Sequence, residues 1–381
     1  MNIVIAPDSF KGSLSAREAG LAMERGIRRV NPDSIVKVVP MADGGEGTME
    51  CLISATEGRF VTRKVMNPLG REIESGFGIL GNGTTCIIEM AMSSGLYLIE
   101  SHERDPMRTT TYGFGQLITA ALDQGCREFI LAVGGSATND GGAGMLQALG
   151  VKLLGADGED IGFGGGELAK LHSVQTDDMD PRLSECAFII ACDVQNPLIG
   201  PKGASAVFGP QKGATPAMVS QLDENLKHFA DVIERTLGAA IHHIPGTGAA
   251  GGLAGGILAF LNGKLESGIS IVARVTGLEE AMQGADLVLT GEGRVDFQTV
   301  GGKTPYGVAR LAKSHGVPVI ILAGSVGEGV NVLYEHGVLA VLSIVNRPMT
   351  LEEAMAHTGP LLEDAAEQVM RIIHTTAWED G

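Results

Sequence analysis

Residues 2–40 read NIVIAPDSFKGSLSAREAGLAMERGIRRVNPDSIVKVVP, and the fold class turns on how this stretch divides. NIVIAP (2–7) is a short apolar run rich in β-branched residues, the pattern of a strand buried on both faces. Ser15 stands where a helix cap is wanted, so a helix is expected over about 15–30. IVKVVP (35–40) is a second buried strand. Strand, helix and strand in succession make a βαβ unit, which commits the sheet to parallel pairing. Working outward, the loop MADGGEGT leads to a second helix at roughly 47–57. Near the other end, ADLVLT (285–290), VPVIILA (317–323) and VLAVLSIV (338–345) read as three more buried strands. Thr304 and Pro305 open a helix that Gly316 ends, by ordinary cap and first-turn chemistry.

The stretch from about 60 to 91 has a different rhythm. RFVTRKV, IESGFGI and TTCIIEM are separated by the turn signals NPLG and GNGT, which predicts an antiparallel meander. The middle of the chain mixes strands (129–133, 187–192) with long glycine-rich connections. The expectation is an α/β protein of two domains. One is a doubly wound parallel sheet built from residues 1–60 and 275–381, and the other is a mixed α/β domain, 61–274, inserted between them. A chain of 381 residues suits two or three domains at roughly 100–200 residues each.

Composition excludes several classes. Forty-five acidic against 28 basic residues give a formal net charge of -17, and no Lys/Arg run interrupts it, so a polyanion such as DNA is repelled. Aromatics at 4% are too sparse for a platform of stacked bases. Five widely spaced cysteines with no C-x-x-C motif suggest neither a disulfide framework nor a zinc site, which fits a reducing cytosol. The start MNIVIAPDSF enters a strand at once, unlike a secretory signal. The longest apolar run, AAGGLAGGILAF (249–260), is too short to span a bilayer. A cytoplasmic globular protein is expected, with no nucleic-acid or membrane partner.

Five polar, glycine-rich segments adjoin expected strands: APDSFKGSL (6–14), ADGGEGT (42–48), GGSATNDGG (134–142), CDVQNPLIGPKGAS (192–205) and TGEGRVD (290–296). In open α/β sheets ligands gather at the carboxyl ends of strands, where these loops lie. Glycines admit phosphate oxygens close to backbone N–H groups, and a following helix N-terminus favours negative charge. Asp and Glu suit Mg²⁺, which takes one or two carboxylates together with water and phosphate oxygens. Lys11, Lys202 and Lys212 offer cations. Amide cradle, metal carboxylates and cations are the parts that phosphoryl transfer needs.

Each segment also has a plainer reading. GGSATNDGG suits a tight turn with Asn139 or Asp140 as helix cap, and Asp43 and Glu46 suit capping as well. Glu292 and Asp296 flank Arg294 as a structural ion pair would. Two motif matches are discounted. GGKT (301–304) resembles the end of a P-loop, but Phe297 holds the place of the first glycine; Lys303 is then a residue near a nucleotide at most. GTGAAG (246–251) fits G-x-G-x-x-G, yet IHHIP before it is a poor strand. None of the nine histidines lies in the five loops, and no G-x-S-x-G or H-E-x-x-H occurs, so a base would be a carboxylate.

Taken in order, APDSFKGSLSA, VPMADGGEGT, GGSATNDGGAGMLQALG, ACDVQNPLIGPKGAS with FGPQKGA, and LTGEGRVD resemble the bacterial glycerate kinase family of the glycerate 2-kinase type, from residue 2 to at least 345. The resemblance implies ATP-dependent phosphorylation of D-glycerate with Mg²⁺. The product is usually 2-phosphoglycerate, though related enzymes make the 3-isomer. It also implies two α/β domains, one flavodoxin-like or Rossmann-like, with the site in a cleft. Metal ligands are then expected from Asp193, Asp43, Glu292 and Asp296. Asp8 or Asp43 is the expected proton acceptor, and Lys11, with Ser9 and Ser13, the holder of the substrate carboxylate. Catalysis is thus expected from Asp8, Lys11, Asp43 and Asp193. Nucleotide phosphates are assigned to Gly134, Gly135, Ser136, Thr138, Asn139, Asp140 and Gly141. A homo-oligomer stays open. Two rivals of other classes are a nicotinamide-dependent oxidoreductase using GTGAAG and a non-catalytic sugar-acid binding protein.

Overall fold

The computed structural model describes residues 1–45 and 47–376, so Glu46 and 377–381 lie outside the described residues. The chain divides into two compact units, Met1–Ala55 with the chain from Ser267 onward, and Thr56–Glu266.

The first unit is built on a five-stranded sheet whose order is Val338–Ser343, Val319–Val326, Leu287–Val295, Asn2–Ile5, Ile35–Val38. Every neighbouring pair is parallel, with Ile3 opposite Leu287 and Asn2 opposite Ile35. Ile3, Val4 and Ile5 are all buried, as a parallel strand covered on both faces requires. The helix Ala16–Val30 begins in a capping box: Ser15 Oγ accepts from the Glu18 amide, and the Ser15 amide donates to Glu18 at 2.9 Å. Its apolar face, Ala19, Ala22, Met23 and Ile27, packs with Leu362, Ala366, Val369 and Met370 of the helix Thr358–Thr376 over one face of the sheet. Gly26 lets these helices meet, since a Cβ there would stand 2.1 Å from the Glu363 carbonyl oxygen.

The second unit carries a six-stranded mixed sheet in the order Lys264–Glu266, Ala187–Ala191, Glu128–Ala132, Thr85–Glu89, Glu72–Ile79, Arg59–Met66. The first four strands pair in parallel and the last two join antiparallel. The two antiparallel turns fall at NPLG and GNGT. Asn67 Oδ1 accepts from the amides of Leu69 and Arg71 in the first, and Gly83 takes φ 76° in the second. A two-stranded ribbon, Lys152–Leu154 with Ser173–Gln175, stands apart from this sheet. The core of the unit joins Phe77, Phe114, Phe129, Phe188, Leu226 and Phe229. Phe129 and Phe188 stack with ring centroids 4.8 Å apart.

All five cysteines are free thiols. Among the described residues, no helix is long and apolar enough to cross a membrane.

Candidate active site

In the first unit the strand Asn2–Ile5 has Ile35–Val38 on one side and Leu287–Val295 on the other, all three parallel. Side chains just beyond the carboxyl ends of neighbouring parallel strands come together, at the place where strand order reverses. Pairing continues past the first strand: the Asp8 amide donates to the Gly291 carbonyl at 2.8 Å and the Met41 amide to the Pro7 carbonyl at 2.9 Å. Asp8 is thereby fixed in the middle, Asp43 on one side and Glu292 on the other. All three line one cavity of about 490 Å³, together with Ser9, Lys11, Ser13, Arg294 and Lys303.

The electrostatics follow from burial and mutual repulsion. Asp8 is 9% exposed. Burial raises its pKa, opposed by the Thr304 hydroxyl that donates to it, while Asp43 raises it further. Glu292 is pushed up to about 7, first by burial; Lys303 pulls it down, and Asp8 and Asp43 push it up. The Lys303 ammonium stands 3.8 Å from Glu292, and the Thr299 hydroxyl donates to it at 3.3 Å. Asp43 accepts from the Gly45 amide at 3.0 Å, which closes the ADGG turn beneath it.

Other expected residues have different surroundings. Ser13 lines the cavity, but its Oγ donates to the Met355 carbonyl at 2.5 Å, tying this loop to the short helix Leu351–Ala356. Asp296 is not with the three acids. Its carboxylate caps the turn Phe297–Gly301 by accepting from the Gln298 amide at 2.9 Å, and it pairs with Arg294 at 3.0 Å. That is the plainer ion-pair reading of TGEGRVD, and it removes Asp296 from the cavity. Asp193 belongs to the second unit, exposed beyond the strand Ala187–Ala191.

The glycine loop 134–142 follows the strand Glu128–Ala132 of the second unit. Gly134 and Gly135 are exposed, whereas Ser136 to Gly141 are buried. Asp140 is enclosed and accepts from the Thr111 amide and hydroxyl and from the amides of Gly142 and Gly144, at 2.8–3.3 Å. The Asn139 side-chain amide donates to Ser205 at 3.0 Å. These two side chains therefore hold the loop rather than face solvent. The exposed backbone of Gly134 and Gly135 remains. GTGAAG forms an irregular turn with Ala250 at φ 54°, and among the described residues the element before it is the helix Pro216–Leu237, not a strand. Its Gly251 carbonyl accepts from the Gly141 amide at 3.0 Å, so this motif is packing for the glycine loop and not a dinucleotide fingerprint.

Two residues read in the sequence only as a residue near a nucleotide and a helix start, because their motif fails as a P-loop. Lys303 and Thr304 of GGKT reach Glu292 and Asp8 from the start of the helix Thr304–Ser314. Ile344, Val345, Leu351 and Met355 form an apolar wall of the cavity, and no sequence motif marks them.

This geometry and the order of the loops can be set against known proteins. Residues 3–374 match the family described as the glycerate kinase family. The chain belongs to the glycerate kinase family. It is 52% identical to the glycerate kinase of Halalkalibacterium halodurans over 367 residues, covering 96% of this chain and 97% of that one. It is 51% identical to the glycerate 2-kinase of Escherichia coli K12, covering 93% of each. Among solved structures it resembles the crystal structure named as glycerate kinase 2 from Salmonella typhimurium LT2, with a TM-score of 0.91, 46% identity and 99% of each chain covered. The glycerate kinase fold is thus the fold of this chain.

Proposed function

We propose that this glycerate kinase transfers the γ-phosphoryl group of ATP to the 2-hydroxyl of D-glycerate, giving 2-phosphoglycerate. The observation that carries the reading is the convergence of Asp8, Asp43 and Glu292, with Lys11 and Lys303, on one cavity at the carboxyl ends of parallel strands. The name of the Escherichia coli relative supports the 2-hydroxyl as acceptor.

Among the described residues no group of three or more His, Cys, Asp or Glu is placed to hold a metal alone, so the Mg²⁺ proposed here would take one or two of these carboxylates with water and phosphate oxygens. Asp43 and Glu292 offer hard oxygen ligands, and burial first, with repulsion between the acids adding to it, makes Asp8 and Glu292 hold their protons more tightly. Mg²⁺ bound there would neutralise charge on phosphate oxygens. Asp193, on the second unit, stays a proposed metal ligand in its own right. Asp8 is the proposed proton acceptor for the glycerate hydroxyl. Its raised pKa makes it a better base than a solvated carboxylate, and Thr304 fixes its orientation. Lys11 and Ser9 are proposed to hold the substrate carboxylate, and the backbone of Gly134, Gly135 and Ser136 the nucleotide phosphates. In a loose transition state little proton transfer is needed early, so positioning dominates. The five free thiols support a reducing compartment, the cytoplasm.

The test is ADP release from ATP and Mg²⁺ with D-glycerate, with L-glycerate and acceptor-free controls, and phosphorus NMR of the product. Turnover that requires D-glycerate and yields 2-phosphoglycerate supports the reading. A 3-phosphoglycerate spectrum overturns the regiochemistry, and turnover without acceptor overturns the substrate.

A further inference from the structure

Lysine is almost never fully buried unless it is paired, yet Lys212 is 1% exposed. It comes from the turn Pro210–Lys212, which Gly213 ends at φ 97°. Its ammonium donates to Ser136 Oγ at 2.8 Å and to the Thr138 carbonyl at 2.7 Å. Both acceptors are neutral and both belong to the glycine loop. The acid that acts on it is Asp140, whose oxygens already accept from Thr111, Gly142 and Gly144. Arg104, whose backbone lies against Gly213, is the other charged residue at this turn. Burial pulls the amine down to about 7 against the pull of Asp140. A cation kept in such surroundings costs stability, so its retention points to a use.

What lies over this charge suggests the use. Gly135 and Ser136 are held to a neighbouring segment by carbonyl and flanking groups: the Leu96 amide donates to the Gly135 carbonyl at 3.0 Å, and the Ala137 amide donates to the Ser94 carbonyl at 2.9 Å. The amides of Gly134, Gly135 and Ser136 themselves donate to no protein group among the described residues. Ser136 Oγ accepts from Lys212, which leaves its own proton without an acceptor among the described residues. Three amides and a hydroxyl backed by an ammonium form the donor set of an anion site.

We propose that Lys212 is a positioning residue of this loop that also supplies its charge: it fixes the loop through Thr138, polarises the Ser136 hydroxyl toward a phosphate oxygen, and takes up a proton from solvent when the nucleotide binds. This rests on the reading of Gly134–Ser136 as the place of the nucleotide phosphates. The linkage has a definite sign. Above about pH 7 the amine of the free protein is mostly neutral; a phosphate beside Ser136 favours its protonation, so binding consumes a proton and weakens as pH rises.

The experiment is calorimetric titration of the full chain with Mg²⁺ and the β,γ-methylene analogue of ATP, in buffers of different ionisation heat at and just above neutral pH. The variants are Lys212→Arg, which keeps charge but does not titrate, and Lys212→Met. Protonation of the analogue itself is common to all and cancels. Wild type is expected to take up more protons than Lys212→Arg, and Lys212→Met to bind on the order of tenfold more weakly or worse. Ser136→Ala, which removes the hydroxyl between ammonium and anion, is expected to lower the uptake, so the inference stands testable even where a variant at 212 does not fold. Equal proton uptake in wild type, Lys212→Arg and Ser136→Ala overturns the proposal. If Gly135→Val as well as Ser136→Ala binds the analogue like wild type, the assignment of the loop fails first, and the role of Lys212 with it.

Discussion

The Thr304 hydroxyl donates to the Asp8 carboxylate across 296 positions of sequence. It joins the loop after the first strand to the start of the helix Thr304–Ser314, and it opposes the burial that raises the Asp8 pKa. Thr304→Val keeps the shape and removes the donor. The Asp8 pKa then rises further, so the acid limb of the kcat/KM profile moves to higher pH. The variant also loses about 1–3 kcal/mol of stability at neutral pH, because a buried charge has lost a partner. A pH–rate profile with a urea unfolding curve checks both; an unmoved acid limb contradicts the role.

Glu292 gives a second pH signature. Its pKa is near 4.5 unfolded and about 7 folded. A raised pKa contributes stability below the unfolded value that is lost as pH climbs through the folded one. The free protein is therefore expected to lose on the order of 3 kcal/mol from this group between about pH 4.5 and 7. Glu292→Gln should flatten that slope, stabilise the free protein at neutral pH and cut turnover. Melting temperatures across this range read the slope, and a variant as pH-sensitive as wild type counts against the burial argument.

Asp140 should behave as a structural residue. Asp140→Ala strands the Thr111 amide and hydroxyl and the amides of Gly142 and Gly144 inside the second unit. A loss on the order of 3 kcal/mol or more is expected, seen as a lower unfolding midpoint. A stable variant with only a raised KM for ATP would return Asp140 to the phosphate-binding set.

Gly26 tests packing far from chemistry. Gly26→Ala places a methyl group 2.1 Å from the Glu363 carbonyl oxygen, so the helices must part at a cost of about 1–3 kcal/mol. Denaturant midpoints should fall while KM for both substrates holds. An unchanged midpoint would mean that the helices separate freely.

The strands were legible because parallel strands covered on both faces are written as unbroken apolar runs. NIVIAP, ADLVLT and VPVIILA contain the observed strands Asn2–Ile5, part of Leu287–Val295, and part of Val319–Val326. The Ser15 cap and the NPLG turn were legible for the same local reason: one side chain satisfies nearby amides. Motif spacing could separate important loops from ordinary ones, but not the roles inside them. Asp8, Asp43 and Glu292 meet because strand order places their loops side by side, which is a long-range fact. Asp296 and Asp140 carry the same carboxylate as those three, yet their nearest amides claim them. Thr304 and Lys212 were obscured because their partners lie 296 and 76 residues away.

The most direct measurement is steady-state kinetics of Asp8→Asn with D-glycerate and Mg²⁺-ATP, on protein whose melting temperature shows it folded. If Asp8 accepts the hydroxyl proton in this cavity, kcat falls on the order of 10²–10⁴-fold while KM for ATP stays close to wild type. A kcat within a few-fold of wild type would contradict the assignment and place the chemistry on other groups.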